Sequence, residues 1–283
     1  MNYIFFGSSP ISIVALEALK DAGFLPKVVV TKPDAPQGRG LEVLPSPVKI
    51  WAENEGIPVL TPESLKDKSF EESLAKFSAE VGVLVSYGKI IPLSIIELFP
   101  KGIVNLHPSL LPLLRGPAPF EYSVLTLDKD QIGVSIMLLD KGMDSGPILA
   151  QVKIEMMEWP LPADILYSFL GGVGADLLAE TLPRYMEGKI TPTPQSENGV
   201  TFSKMLTKED GEISLSDDAF QNYKKYLALA RWPGVFFFEE RNGKKIRVKI
   251  KTAKYESGSF LPLTVIPEGK KEMPYEDFKR GTR

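Results

Sequence analysis

The chain contains no cysteine and a single histidine, His107, in 283 residues. Without thiols there are no disulfides, no thiolate nucleophile and no cysteine-ligated metal. One imidazole is too few for the usual zinc sites, which draw on several imidazoles or thiolates, so no metal is expected. No apolar run approaches the length of a membrane span. The opening Met1-Asn2-Tyr3-Ile4-Phe5-Phe6-Gly7 enters a strand pattern directly, with no basic region followed by a cleavable apolar core. The expectation is a cytoplasmic protein with no membrane partner, and a monomer by default. A G-x-G-x-x-G fingerprint is missing too. The first turn reads Gly7-Ser8-Ser9, which leaves a dinucleotide site unsupported, while a helix N-terminus receiving an anionic or polar part of a substrate stays open.

What is present is ordinary in amount and uneven in distribution. Hydrophobic content of 43% and charged content of 24% suit a globular chain long enough for two domains. The overall charge is −3, yet residues 1–204 carry a net −7 and residues 205–283 a net +4. A cationic tail on an anionic body points to a polyanionic partner for the tail.

Apolar runs at Tyr3–Phe6, Val28–Val30, Pro58–Leu60, Val81–Val85 and Gly102–Leu106 read as buried strands. The first is followed by a helical pattern through Leu19, with Ser8 or Ser9 as N-cap and Pro10 in the first turn. Another helix precedes the fourth strand, over Phe70 to Phe77. Strands of continuous apolar residues alternating with helices predict a Rossmann-like α/β domain, its mostly parallel sheet covered by helices on both faces. Gly133–Leu139 and Pro147–Ile154 predict two more strands, and Ala163 to Glu187 a long closing helix. Residues 1–188 are expected to form this domain. Residues 189–204, with Thr191-Pro192-Thr193-Pro194 and Asn198-Gly199, read as a linker.

Residues 205–283 predict a helix near Asp217 to Leu229, then strands. Gly234–Phe238 leads through Asn242-Gly243, a hairpin-turn pair, into an alternating return strand. Period two places Lys245, Arg247, Lys249 and Lys251 on one face and Ile246, Val248 and Ile250 on the other. Residues 241–254 hold seven basic side chains and no acidic one. A solvated face normally mixes signs, so the row reads as a footprint for a phosphate backbone. The tail suits a small, OB-like β domain.

The chemistry concentrates in Asn105-Leu106-His107-Pro108-Ser109-Leu110-Leu111-Pro112, at a strand end. Residues i and i+2 of a strand share a face, so Asn105 and His107 can reach one pocket. An amide beside an imidazole is a donor pair for an oxyanion, and the imidazole can move a proton near neutral pH. With Arg115-Gly116-Pro117-Ala118-Pro119 following, and Gly142-Met143-Asp144-Ser145-Gly146-Pro147-Ile148 later, the chain resembles the folate-dependent formyltransferases. Three further stretches resemble the branch of that family acting on aminoacylated initiator tRNA. They are Pro33 to Gly40 continuing to Lys49, Thr201 to Asp210, and Gly269 to Met273 with Phe278.

The resemblance implies transfer of a formyl group from 10-formyltetrahydrofolate, the co-substrate, to the α-amino group of methionyl initiator tRNA. Asn105 and protonated His107 would stabilise the formyl oxygen; Asp144 would favour the charged imidazole and help carry the proton. Folate is expected along Ser86, Tyr87, Gly88, Ile90 and Ile91, read through the main chain, with Ser109, Leu110, Leu111, Pro112 and Asp140 as further lining positions. The loop from Lys32 to Lys49 is expected to order on the acceptor stem, with Arg39 entering and Lys32 and Lys49 touching phosphates. Lys245, Arg247, Lys249 and Lys251 complete the expected tRNA contacts.

Some positions depart from the family pattern. Leu41 and Glu42 stand where basic residues are usual, and Leu113 replaces a common basic residue. The tail between Lys254 and Pro267 is short, so a hairpin is expected to be missing and the barrel shortened. The competing readings are a sugar-amine N-formyltransferase with the same catalytic residues, and an RNA-binding module on an inactive α/β scaffold.

Overall fold

The computed structural model describes residues 1–37, 42–241 and 243–281. In chain order the elements are β1 (Tyr3–Gly7), α1 (Pro10–Asp21), β2 (Val28–Val30), β3 (Ala35–Gln37), β4 (Glu42–Leu44), α2 (Pro47–Asn54), β5 (Val59–Leu60) and α3 (Lys68–Ala75). They continue with β6 (Val81–Val85), α4 (Leu93–Ile96), β7 (Ile103–His107), α5 (Pro119–Thr126), β8 (Gly133–Leu138), β9 (Ile148–Lys153) and α6 (Ala163–Met186). The tail holds α7 (Ala219–Leu229), β10 (Phe236–Arg241), β11 (Lys244–Glu256), β12 (Ser259–Pro267), β13 (Met273–Pro274) and α8 (Tyr275–Arg280).

Two compact units result, and neither is continuous in sequence. The first comprises residues 1–119, 131–154 and 167–203; the second comprises 120–130, 155–166 and the chain from 204 on.

The first unit is built on a seven-stranded sheet of order β5-β2-β1-β6-β7-β8-β9. The first five strands are parallel, while β8 and β9 join antiparallel. Strands β1, β2 and β7 are buried along their whole length, as a sheet covered on both faces requires. Ile4, Phe6, Val28, Val30 and Ile103 form one side of the core with Phe70, Tyr87, Ile95 and Phe99. On the other side α6 lies so close that a Cβ on Gly174 would touch Leu106 and Val134 at 3.0 Å. By length and composition alone α6 is apolar enough to cross a membrane, against the expectation that no segment would be. Here Leu170, Ala175, Leu178 and Leu182 of that helix are buried in the fold.

Strand order reverses between β1 and β6, and the carboxyl ends of strands at such a switch point are the usual ligand position in these sheets. Gly7-Ser8, Ser86–Gly88 and His107 all lie at the carboxyl ends of strands. Ser9 is the N-cap of α1, with Pro10 next to it and the Ser9 amide donating to Ser12 Oγ at 3.3 Å.

The segment from Lys32 to Lys49 differs from the expected open loop. Ala35–Gln37 and Glu42–Leu44 pair as an antiparallel ribbon. Thr31 Oγ1 and Ser46 Oγ, 2.7 Å apart, close its base, and Ser46 caps α2 by accepting from the Lys49 amide. Both arms are therefore paired before any partner arrives. Arg39 and Leu41 lie outside the described residues.

In the second unit β10-β11-β12-β13 form an antiparallel sheet, the small β-rich domain expected, without further strands among the described residues. Its long β11–β12 ribbon turns at Ser257-Gly258. Val248 and Ile250 are buried and Lys245 and Lys249 exposed, as alternation required. The row of four cations is not regular, however. Arg247 lies half-buried with its guanidinium 3.7 Å from the Phe236 ring centre, and the register shift between Ile250 and Thr252 puts Lys251 at a bulge.

Candidate active site

Asn105 and His107 occupy the end of β7, 5% and 4% exposed, and their i, i+2 spacing turns both side chains to one face. No hydrogen bond within the protein engages the Asn105 amide among the described residues, so its donors are available to a bound group. His107 is fixed. Its Nε2 lies 3.0 Å from the Leu114 carbonyl, which can only accept, so Nε2 carries a proton. The other nitrogen, Nδ1, is 3.7 Å from Asp144 Oδ2. Asp144 Oδ2 in turn accepts the Gly116 amide at 2.8 Å. The amide, the imidazole and the carboxylate are thus assembled from a strand end and two loops.

These loops are held in uncommon backbone conformations. Leu114, fully buried, sits at φ +57°, Asp144 at +49° and Ser86 at +49°, where side chains with a Cβ are unfavourable by about 1–3 kcal/mol. Gly116, at φ +124°, has no room for a Cβ, which would meet the Ser203 carbonyl oxygen. The Leu114-Arg115-Gly116 stretch therefore works mainly through the backbone: Leu114 presents a carbonyl to His107 and Gly116 an amide to Asp144.

Arg115 and Gln195 carry a connection that sequence reasoning missed. Arg115 is 5% exposed; its Nε donates to Gln195 Oε1 at 3.0 Å. Gln195 Nε2 donates to the carbonyls of Asp144 at 2.8 Å and Gly146 at 2.7 Å. Beside it Thr193 pairs with Ile148. The stretch read as a linker thus packs, through residue 203, with the first unit and straps the Asp144 loop to the Arg115 loop. Only a conspicuous glutamine in a proline-rich run marked it in the sequence.

The other lining residues divide between structural and accessible roles. Ser109 Oγ donates to the Leu113 carbonyl at 2.5 Å and its own carbonyl accepts from Ser135 Oγ at 2.6 Å. Its hydroxyl is therefore engaged in closing the loop. Leu111 is buried and tied by its amide to Ser135 Oγ and by its carbonyl to Gln151. Leu110 packs on Gly133, and Pro112 accepts the Thr201 amide at 3.3 Å. Asp140 accepts the Gly142 amide and the Ser145 hydroxyl, holding the loop that carries Asp144.

Along the stretch expected to read folate, Tyr87 is wholly buried and its ring meets Phe6 edge-on at 6.0 Å. Burial pushes its phenol up to about 12. The ring is a core anchor, and Ser86 and Gly88 on either side of it are exposed. Ile91 also turns into the core, while Ile90 is 87% exposed. Lys89 clamps the loop onto the Pro62 and Glu63 carbonyls.

The expected tRNA-contacting lysines of the first unit are partly engaged. Lys32 places its ammonium against Gly88. Lys49 is hydrogen-bonded to Asp34 at 2.8 Å, which holds it above the ordinary lysine range. Among the described residues no group of three or more His, Asp or Glu side chains could hold a metal ion.

Comparison with known proteins gives the family. The Formyl transferase family model matches residues 1–166, and the Formyl transferase, C-terminal domain model matches residues 205–262. The chain belongs to the formyltransferase family. It is 42% identical to the methionyl-tRNA formyltransferase of Chloroflexus aurantiacus over 94% of this chain and 84% of that one. It is 38% identical to that of Thermus thermophilus over 99% and 96%. A solved methionyl-tRNA formyltransferase from Clostridium thermocellum shares the fold, with a TM-score of 0.61 at 18% identity, covering 97% of this chain and 99% of that chain.

Proposed function

We infer that this formyltransferase moves the formyl group of 10-formyltetrahydrofolate to the α-amino group of methionyl initiator tRNA, for translation initiation. One observation carries the chemistry: a buried side-chain amide, Asn105, without a partner among the described residues, on the same strand face as an imidazole whose Nδ1 faces a carboxylate at 3.7 Å. Several full-length relatives near 40% identity bear the name of this activity, which favours it over a sugar-amine acceptor.

The amine nitrogen attacks the formyl carbon and electrons move onto the formyl oxygen. As they return, the bond to the donor nitrogen breaks and a proton passes from the attacking to the departing nitrogen. Asn105 donates to the charged oxygen. His107, its Nε2–H held by Leu114, has Nδ1 as the working nitrogen; protonated, it donates toward the oxygen or toward Asp144. Asp144, fixed by Gly116, lies within one proton transfer of that ring. Donors set in place before the reaction act without reorganisation, and losing one typically lowers the rate by about 10²–10³. Arg115 and Gln195 hold the Asp144 loop. The exposed backbone at Ser86 and Gly88 offers amide and carbonyl groups of the kind that read a pterin edge, and a folate donor is the family's formyl source.

In this reading residues 1–188, braced by the strap that follows them through Ser203, perform the transfer, and 205–283 hold tRNA with Lys245, Arg247, Lys249 and Lys251. Arg39, Lys32 and Lys49 meet the acceptor end. The protein works as a cytoplasmic monomer. The deciding experiment is mass analysis of methionyl-tRNA after incubation with the protein and 10-formyltetrahydrofolate. A gain of one formyl group on the methionine is expected; formylation of an amino-sugar nucleotide in preference to the tRNA would overturn the assignment.

A further inference from the structure

The second unit contains a cleft of about 420 Å³ between the turn at Trp232-Pro233 and the adjoining ends of β11 and β12. Its lining includes Lys208, Trp232, Arg247, Lys249, Glu268 and Lys270. Four cations against one carboxylate make it a site for an anion. Trp232 is 48% exposed, an apolar ring left in water where burial would be favourable. Arg247 is pre-positioned on Phe236, and its Nε is buried without a hydrogen-bond partner among the described residues. Lys249 runs its side chain over Gly234, and Lys270 is set by a turn in which its amide donates to the Pro267 carbonyl.

We propose that this cleft binds one unpaired nucleotide of the RNA partner, its base stacked on Trp232 and its phosphate held by Lys208, Lys249 and Lys270. The proposal rests on the tRNA reading above and adds what kind of RNA structure this unit takes. A duplex keeps its base faces stacked inside the helix and would use the lysines alone. A single-stranded nucleotide uses both the ring and the charges, and only it explains an exposed tryptophan at the edge of a concave, cationic site. Aromatic platforms with flanking cations bind single strands in this way, tolerant of sequence.

The test is a fluorescence and anisotropy titration of the full chain with an oligouridine of about ten nucleotides, within the usual single-strand site range, and a duplex of equal length. Trp51 is nearly buried and Trp159 donates its Nε1–H to the Leu127 carbonyl, so quenching reports chiefly on Trp232. Quenching by the single strand is expected. Trp232→Ala should weaken its binding about five- to a hundredfold, whereas Trp232→Phe retains most of it, since stacking persists. Lys208→Glu with Lys270→Glu should lower the salt slope by about 1.4 units. Equal or tighter binding of the duplex, or unchanged affinity in Trp232→Ala, overturns the proposal. Formyl transfer measured alongside separates the two readings. A wild-type protein that transfers formyl without quenching sinks the cleft alone, and one that quenches without transferring sinks the activity alone.

Discussion

The end of β7 and the face of β11 both carry functional side chains by strand alternation, yet they work under opposite physical conditions. Around His107 the imidazole is buried, and the imidazole and the Asp144 carboxylate are held by named partners, Leu114 and Gly116, with Gln195 and Arg115 bracing the loops. On β11, Lys245 and Lys249 are exposed, lying over Phe238 and Gly234, and at an exposed site charge matters more than exact position. A buried constellation loses its function when an atom moves by about an ångström. An exposed cationic row loses affinity in proportion to the phosphates it no longer neutralises. The first should respond steeply and to geometry, the second gradually and to charge count.

The steepest break is expected at the buried site. His107→Ala, Asp144→Ala and Asn105→Ala should each lower kcat by about 10²–10³ while tRNA affinity holds; single-turnover transfer at saturating tRNA measures it. Normal turnover in any of the three would remove that residue from the mechanism. Gln195→Ala sharpens the comparison because it touches only the support. A fall in kcat of about ten- to a hundredfold with KM for tRNA little changed is expected. A change confined to KM would instead make the strap part of tRNA binding.

On the exposed face, Lys245→Glu with Lys249→Glu should flatten the dependence of tRNA affinity on salt by roughly two units and leave kcat at saturation alone. A salt slope equal to the wild type's would rule the row out as a phosphate contact. The smallest effect belongs to Tyr87→Phe. Its hydroxyl is buried without a partner among the described residues, so removal should alter stability by no more than about 1 kcal/mol and leave transfer within about twofold. Raised to about 12 in the folded state, above the ordinary phenol value, Tyr87 contributes stability that is complete below pH about 10 and lost as pH climbs toward 12. Denaturant melts across that window should fall more steeply for the wild type than for Tyr87→Phe. Parallel curves would show that the phenol is hydrated.

Much of this was legible because each signal was local. Apolar runs marked the seven sheet strands within a residue or two. Asn105 and His107 share a face by spacing, and Lys245 and Lys249 were readable as exposed from alternation. The paired segment Ala35–Gln37 with Glu42–Leu44 was not legible, since Pro36 within a three-residue strand gives no alternation and argues against pairing. Strand β12 was hidden in the same way, with Pro262 in its middle. The bulge at Lys251 follows from the fit of β11 to β12 and has no signature within β11 itself.

The amino-acid sequence alone determined the order of strands and helices, the separation of charge between body and tail, and the residue types able to carry formyl transfer. These are properties of neighbours along the chain. Tertiary structure decided which nitrogen of His107 is engaged, that Asp144 takes its bearing from Gly116, and that a glutamine 51 residues beyond Asp144 holds its loop. Such contacts join segments far apart in sequence, and their partners are chosen by packing.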